Sequence, residues 1–171
     1  MPDSLVPNAA TGRPSPSNMS LAEYIHFRLG DENRLWPLLR ANFVRSFTAP
    51  SLADFWRYWN PVYGYYLAKL IYRPLRRRLP RALCVLATFA VSGFLLHDVF
   101  SWPLVTAVTR QLYVPHTTAW FLLVALLVLA GEAVALRFDR LGGVTRVLLH
   151  VAVLVTTYWA ANWVTAQRLQ F

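Results

Sequence analysis

Two polar side chains stand where the surrounding sequence gives them little to pair with. His97 follows sixteen residues dominated by Ala, Val, Leu and Phe, and Asn60 follows Trp56 and Trp59 and precedes Pro61. A polar group without a partner in such surroundings costs a few kcal/mol, so each needs a structural or chemical reason. A neutral imidazole in this setting can take a proton from an attacking hydroxyl or amine. Ionisable groups inside membrane-length helices are usually functional; a satisfied helix-packing histidine is the other reading of His97. The Asn60 amide can donate to a carbonyl oxygen or orient an acceptor, or it can cap a helix.

The other polar groups are less specific. Asp98 adjoins His97, but neighbours on a helix point to different faces, so Asp98 is expected to face water at the helix end rather than orient the imidazole. Glu132 lies in an apolar run with no opposite charge near it in sequence. It is expected to pair with His150 of the next run, to be protonated, or to line a polar cavity; His150 carries the same ambiguity. His116, beside Pro115, reads as a loop residue, and His26 as a surface residue of the first helix. Arg76, Arg77 and Arg78 suit the phosphates of a nucleotide-bearing cofactor such as coenzyme A, or else membrane topology and anionic lipid. The single cysteine, Cys84, excludes a disulfide within the chain and a cysteine metal cluster, and reads as packing. The sequence has no Walker motif, dinucleotide loop, metal-spaced His/Cys set or Gly-x-Ser-x-Gly elbow.

The composition points to a membrane as the setting for these groups. Of 171 residues, 56% are hydrophobic, and 17 basic against 8 acidic residues give a net charge of +9. The mean hydropathy is +0.36, more apolar than is usual for a soluble domain. A basic chain can bind nucleic acid, but here the Arg residues gather at the ends of apolar runs, as in membrane proteins. Membrane lipids, and no nucleic acid, are the expected partners. Residues 1–19 are rich in Pro, Ser and Asn without an apolar core, and read as a disordered tail rather than a signal peptide.

Ser20-Leu21-Ala22-Glu23 forms a capping box that opens a short helix to about Leu29, and Gly30-Asp31 breaks it. From Glu32 to Phe47, Leu35, Trp36, Leu38, Leu39, Phe43 and Val44 alternate with Arg34, Arg40 and Arg45. That is an amphipathic helix, with Pro37 tolerable in its first turn. Residues 20–50 are therefore expected to be amphipathic helices lying on the cytoplasmic membrane surface; a soluble docking helix is the alternative.

Ser51-Leu52-Ala53-Asp54 is a second N-cap signal. It opens an aromatic segment over 52–72 with Trp56, Tyr58, Trp59, Tyr63, Tyr65, Tyr66 and Tyr72. Such density suits the headgroup boundary or a helix half buried in protein. Pro61 is expected to kink or break it just after Asn60. Three apolar runs follow, at about 82–100, 118–136 and 146–164, each close to the ~20 residues that span ~30 Å of hydrocarbon. Arg73, Arg76, Arg77, Arg78 and Arg81 precede the first run. Arg110 lies in the next flank, Arg137, Arg140 and Arg146 in the third, and Arg168 in the last. This distribution predicts a cytoplasmic N-terminus and an extracytoplasmic C-terminus. The expected fold is an all-α integral membrane protein, with about three transmembrane helices preceded by amphipathic interfacial helices and a membrane domain over 51–171.

Taken together, Phe55-Trp56-Arg57-Tyr58-Trp59-Asn60, Tyr72-Arg73-Pro74 and Ser92-Gly93-Phe94-Leu95-Leu96-His97 resemble the signature of the membrane-bound O-acyltransferases. The Phe-Trp-x-x-Trp-Asn form, with His97 lying 37 residues beyond Asn60, is most similar to the sterol and diacylglycerol acyltransferase branch. The bacterial polysaccharide O-acetylating branch has a His in place of Asn60. The resemblance is close over about 45 residues, from Phe55 to Asp98, and looser over 45–165. It implies a histidine in a membrane tunnel acting as general base on an acceptor hydroxyl. It implies acyl-coenzyme A as co-substrate, entering from the cytoplasm, and no permanently bound cofactor. Those roles fall to His97 as base and Asn60 as its polar partner, with Trp56, Trp59, Arg76, Arg77 and Arg78 as substrate contacts. Members of the family usually have many more membrane helices, so the chain resembles a truncated, C-terminal catalytic-core portion. Enclosure of a tunnel is then expected from association of copies or from a second membrane polypeptide. A non-catalytic scaffold built on the same core is the alternative.

The charge distribution makes a direct prediction. In His116→Cys the new thiol should react with an impermeant reagent added from outside, and in Arg77→Cys it should not; the reverse pattern would overturn the orientation.

Overall fold

A computed structural model describes residues 19–30, 35–109 and 115–166, and all regular structure among them is helical. Helix α1 (Leu21–Leu29) starts at the capping box. The Ser20 hydroxyl accepts from the Glu23 amide at 3.3 Å, and the Glu23 carboxylate accepts from the Ser20 amide at 2.7 Å. That backbone bond, with the hydroxyl, holds the Glu23 carboxyl below its ordinary range. Gly30 ends the helix with φ at 92°, where a side chain would be strained. Glu32, Arg34 and the expected tail lie outside the described residues, except Met19, which is buried with Tyr24 and Tyr65.

Helix α2 (Leu35–Phe47) carries Pro37 in its first turn. One face docks on the protein, with Phe43 edge-on to Trp59 and Phe47 edge-on to Phe55 and Trp59. Leu35 and Trp36 are 73% and 76% exposed, an apolar outer face of the kind that enters a membrane interface. Helix α3 (Leu52–Tyr58) is capped by Ser51, whose hydroxyl accepts from the Asp54 amide at 3.0 Å. Pro61 breaks the aromatic segment rather than kinking it. The chain leaves helical geometry at Asn60 and restarts as α4 (Pro61–Leu67), which passes through a π-turn (Ala68–Tyr72) into α5 (Arg73–Arg76).

Among the described residues, three helical stretches are long and apolar enough to cross a membrane: Arg81–Val108, His116–Ala133 and Gly143–Thr165. The first is α6 (Arg81–Gly93), a second π-turn (Phe94–Asp98) and α7 (Val99–Thr109) in continuous register. It runs past the expected end near residue 100, with Pro103 inside the helix, which membrane helices tolerate better than soluble ones. The others are α8 (His116–Ala133) and α9 (Gly143–Ala166). The α6–α8 pair is the closest packed. A Cβ on Gly93 would lie 2.7 Å from the Thr118 Cα, so glycine is what lets the two backbones meet. Helices α8 and α9 join through the Trp120 indole N–H, which donates to the Thr157 hydroxyl at 2.9 Å.

His116 is not a loop residue. It opens α8, with Nδ1 3.3 Å from the Thr165 hydroxyl and its ring edge-on to Tyr158. Pro115, exposed beside it, is the better labelling position at that end. His26 is exposed on α1 and Cys84 is fully buried, as expected.

The segment between α2 and α3 is held by side chains of α9 and the turn before it. The Arg146 guanidinium donates to Thr48 O at 3.1 Å and to the Phe138, Leu141 and Asp139 carbonyls at 2.8–3.0 Å. One turn on, His150 is fully buried. Its Nδ1 lies 3.1 Å from Phe47 O and 2.8 Å from Arg146 O, and its Nε2 lies 3.4 Å from Ser51 O. The Phe138 amide donates to Pro50 O at 2.7 Å. In the same turn Arg137 forks onto Asp139 at 2.5 and 3.1 Å, which holds the Asp139 carboxyl below its ordinary range. A lysine cannot reproduce the Arg146 fork. Arg146→Lys should cost about 2–3 kcal/mol, on the scale of a lost charge-assisted bond, read as a lower thermal midpoint in detergent or nanodiscs.

Candidate active site

One cavity of about 380 Å³ gathers most of the sequence motifs. Trp56, Trp59 and Asn60 line it from α3 and the break after it, and Tyr63, Gly64 and Leu67 from α4. Ala68 and Tyr72 come from the first π-turn, Val85, Thr88, Phe89 and Ser92 from α6, His97 from the second π-turn, and Phe121 from α8. The walls are mostly aromatic and aliphatic, with a few polar groups, the usual make-up of a small-molecule site.

Asn60 takes the capping reading. It sits at φ 44°, ψ 73°, a left-handed conformation that Asn tolerates better than most residues. Its Oδ1 caps α4 by accepting from the Tyr63 amide at 3.3 Å. Its own backbone amide donates to Asn42 Oδ1 on α2 at 3.1 Å. With Oδ1 used by the cap, the side-chain NH₂ is the group left to serve a ligand.

His97 owes its direction to the π-turn. At α-helical pitch, residues five apart are about 140° apart around the axis, which would turn His97 away from Ser92. The wider π-turn brings such residues back towards one face, and both side chains line the cavity. The imidazole ring lies 5.4 Å from the Phe121 ring, centroid to centroid. No side chain among the described residues hydrogen-bonds it. Ser92 is 7% exposed, and its hydroxyl likewise has no partner among the described residues.

Asp98 does not face water. It is fully buried, and its carboxylate accepts from the Thr117 amide at 3.1 Å, the Thr118 amide at 2.7 Å and the Thr118 hydroxyl. It thus supplies the anion for the first turn of α8, where unpaired N–H groups and the helix dipole favour one. Asp98 and His97 do point apart, as their adjacency on a helix requires, but the partner of Asp98 is a second helix rather than solvent.

The sequence model of the membrane-bound O-acyltransferase family matches residues 19–133, about two thirds of the chain. The chain belongs to the membrane-bound O-acyltransferase family. No curated protein and no solved structure matches it significantly. The matched segment contains every residue that lines the cavity, and α9 lies beyond it. With three helices of spanning length among the described residues, this membrane-bound O-acyltransferase is an all-α integral membrane protein.

Arg76, Arg77 and Arg78 lie outside the cavity, exposed at the turn between α5 and α6, where Arg76 donates to Leu79 O at 3.3 Å. Glu132 does not pair with His150. It forms ion pairs with Arg81 and, at 3.7 Å, with Arg57, because the end of α8 meets the start of α6 and α3. A smaller cavity of about 290 Å³, mostly apolar, does include both Glu132 and His150 in its lining. Ser92 and Tyr72 fall within the sequence motifs, but nothing local gives them a place in the site. Phe121 and Asn42 carry no local signal either, since only the docking of α8 and α2 brings them there. If the Asp98 anchor holds the His97 turn, Asp98→Asn should cost about 2 kcal/mol of stability, on the scale of a lost charge-assisted bond, and lower any His97-dependent activity with it. Both are read on the same purified sample.

Proposed function

We propose that this membrane-bound O-acyltransferase moves an acyl group from acyl-coenzyme A to a hydroxyl on a lipid, glycan or small molecule. His97 is the general base and Asn60 its polar partner. The observation that carries the reading is the meeting of Asn60 and His97 in one largely apolar cavity, although they stand 37 residues apart. His97 Nε2 or Nδ1 takes the acceptor proton as the hydroxyl oxygen attacks the thioester carbon. The C–O bond forms, the C–S bond breaks, and the thiolate leaves and recovers the proton from the imidazolium. The Asn60 NH₂ donates to the carbonyl oxygen where negative charge develops. Trp56 and Trp59 shape the acyl and acceptor space, and apolar walls limit competing water. Arg76, Arg77 and Arg78 attract the nucleotide phosphates of the donor at the Arg-rich end.

The Phe-Trp-x-x-Trp-Asn form favours an acceptor of the sterol or diacylglycerol kind. The Arg-rich ends of α6 and α9 face the cytoplasm, with the C-terminus outside. A second copy or another membrane polypeptide completes the enclosure.

In nanodiscs with a panel of long-chain acyl-CoA donors and hydroxyl acceptors, His97→Ala should lower turnover about 10²–10⁴-fold. Asn60→Ala should lower it about 10²-fold or more. A parent that is active while His97→Ala retains full turnover would remove His97 as base.

A further inference from the structure

Asn60 is the donor to the reacting carbonyl in the proposed transfer, and its backbone is unusual. It sits in the left-handed region at φ 44°, and a residue other than glycine persists there only where its surroundings over-determine it. Three bonds do so. The Asn60 carbonyl accepts from the Gly64 amide at 3.0 Å, and Oδ1 accepts from the Tyr63 amide at 3.3 Å. Both belong to the first turn of α4 and move with it. The third bond reaches another element: the Asn60 amide donates to Asn42 Oδ1 on α2 at 3.1 Å.

The break between α3 and α4 is why that amide needs an acceptor from outside. The Trp59 amide still bonds Phe55 O at 2.9 Å. Trp59 itself is extended, with ψ at 121°, so the chain leaves the ladder of α3 before the Asn60 amide can enter it. An amide left without an acceptor costs about as much as a lost hydrogen bond. Helix α2 is held firmly behind Asn42. Ser46, fully buried, donates to the Asn42 carbonyl at 2.8 Å. Phe43 and Phe47 pack edge-on to Trp59, the residue before Asn60. Asn42 thus joins a docked helix to a backbone group that neither α3 nor α4 satisfies.

We propose that Asn42 is a positioning residue for the acyl transfer: by accepting from the Asn60 amide it fixes the left-handed turn, and with it the direction of the Asn60 NH₂ in the cavity. This rests on the reading of Asn60 as donor to the thioester carbonyl. Without the acceptor the turn relaxes, and a misdirected NH₂ no longer meets the charge that develops on the carbonyl oxygen. An interaction made only in the transition state, when lost, lowers kcat and kcat/KM together and leaves KM unchanged.

The test is steady-state turnover of palmitoyl-CoA by the full chain in nanodiscs, with 1,2-dioleoylglycerol, cholesterol and hexadecanol as acceptors, alongside the thermal midpoint. Asn42→Ala should lower kcat about 10-fold, the scale of one hydrogen bond, with KM for palmitoyl-CoA unchanged. Asn42→Asp keeps an acceptor oxygen and should hold kcat within about 2-fold of the parent. In the Asn60→Ala background, Asn42→Ala should change turnover no further while still lowering the thermal midpoint. If the losses multiply in the double variant, if KM rises while kcat holds, or if Asn42→Asp is as slow as Asn42→Ala, Asn42 only joins helices and the proposal is overturned. Should Asn42→Ala fail to fold, Asn42→Leu, of similar size and without the acceptor, is judged by the same criteria. A parent-like kcat in Asn42→Ala beside a slow Asn60→Ala overturns this proposal alone. Full turnover in Asn60→Ala overturns the reading of Asn60, and this one with it. A parent inactive with all three acceptors overturns the sterol or diacylglycerol reading of the acceptor, and again this one with it.

Discussion

The position of the motif helix depends on the carbonyl oxygens of Phe47, Thr48 and Pro50, at and just past the end of α2, and of Ser51, the cap of α3. Ser51 O already accepts from the Phe55 amide at 3.0 Å, whereas the first three have no following turn of α2 to bond them. A buried or membrane-facing carbonyl without a donor costs as much as a lost hydrogen bond or more. Arg146, His150 and the Phe138 amide supply the donors. Nδ1 of His150 faces two carbonyls and can carry one proton between them, which makes the Arg146 fork the less replaceable part. The first residue of the aromatic motif, Phe55, is fully buried and stacks on His150 at 5.2 Å. Its part in the motif is therefore contact with α9, and that contact sets where Trp56, Trp59 and Asn60 begin.

A second constraint is the repeated use of π-turns. Each widens the helix by a residue and forfeits regular α-helical bonding. In both cases the displaced face looks into the cavity, with Ala68 and Tyr72 from one turn and His97 from the other. The second turn is fastened at both ends. Gly93 lets α6 touch the α8 backbone, and Asp98 binds the first amides of α8. A buried carboxylate is sensitive to any shift of its donors. The anchoring carboxylate and the imidazole are adjacent in sequence, so a movement of α8 is transmitted to His97 by the backbone alone.

What was legible in the sequence is what local chemistry decides. The capping box at Ser20, the cap at Ser51, the break at Asn60–Pro61 and the three spans all rest on residues within a turn or two of one another. The convergence of Asn60 and His97 was legible only through the resemblance of the motifs to a family, since nothing in either segment says that the two meet. The readings that failed were those that needed a partner from another helix. Local sequence sends Asp98 to water because its donors begin 19 residues on. For Glu132 the sequence leaves pairing with His150, protonation and a polar cavity all open, whereas its partner Arg81 stands 51 residues before it. Periodicity says which face of a helix is apolar and leaves open which neighbour that face meets.

Two polar groups of the cavity, Asn60 and His97, are each directed by an element other than the one that carries them. Asn60 is held by Asn42 of α2. His97 is held through the turn that Asp98 ties to α8. In an apolar cavity a misdirected polar group has no water to satisfy it, so orientation and stability are the same requirement there. Helices α2, α6 and α8 must therefore dock before these groups point correctly. A site of this kind is built at the end of folding rather than within any one helix, and a substitution far from the cavity reaches it by the same contacts that hold the helices together.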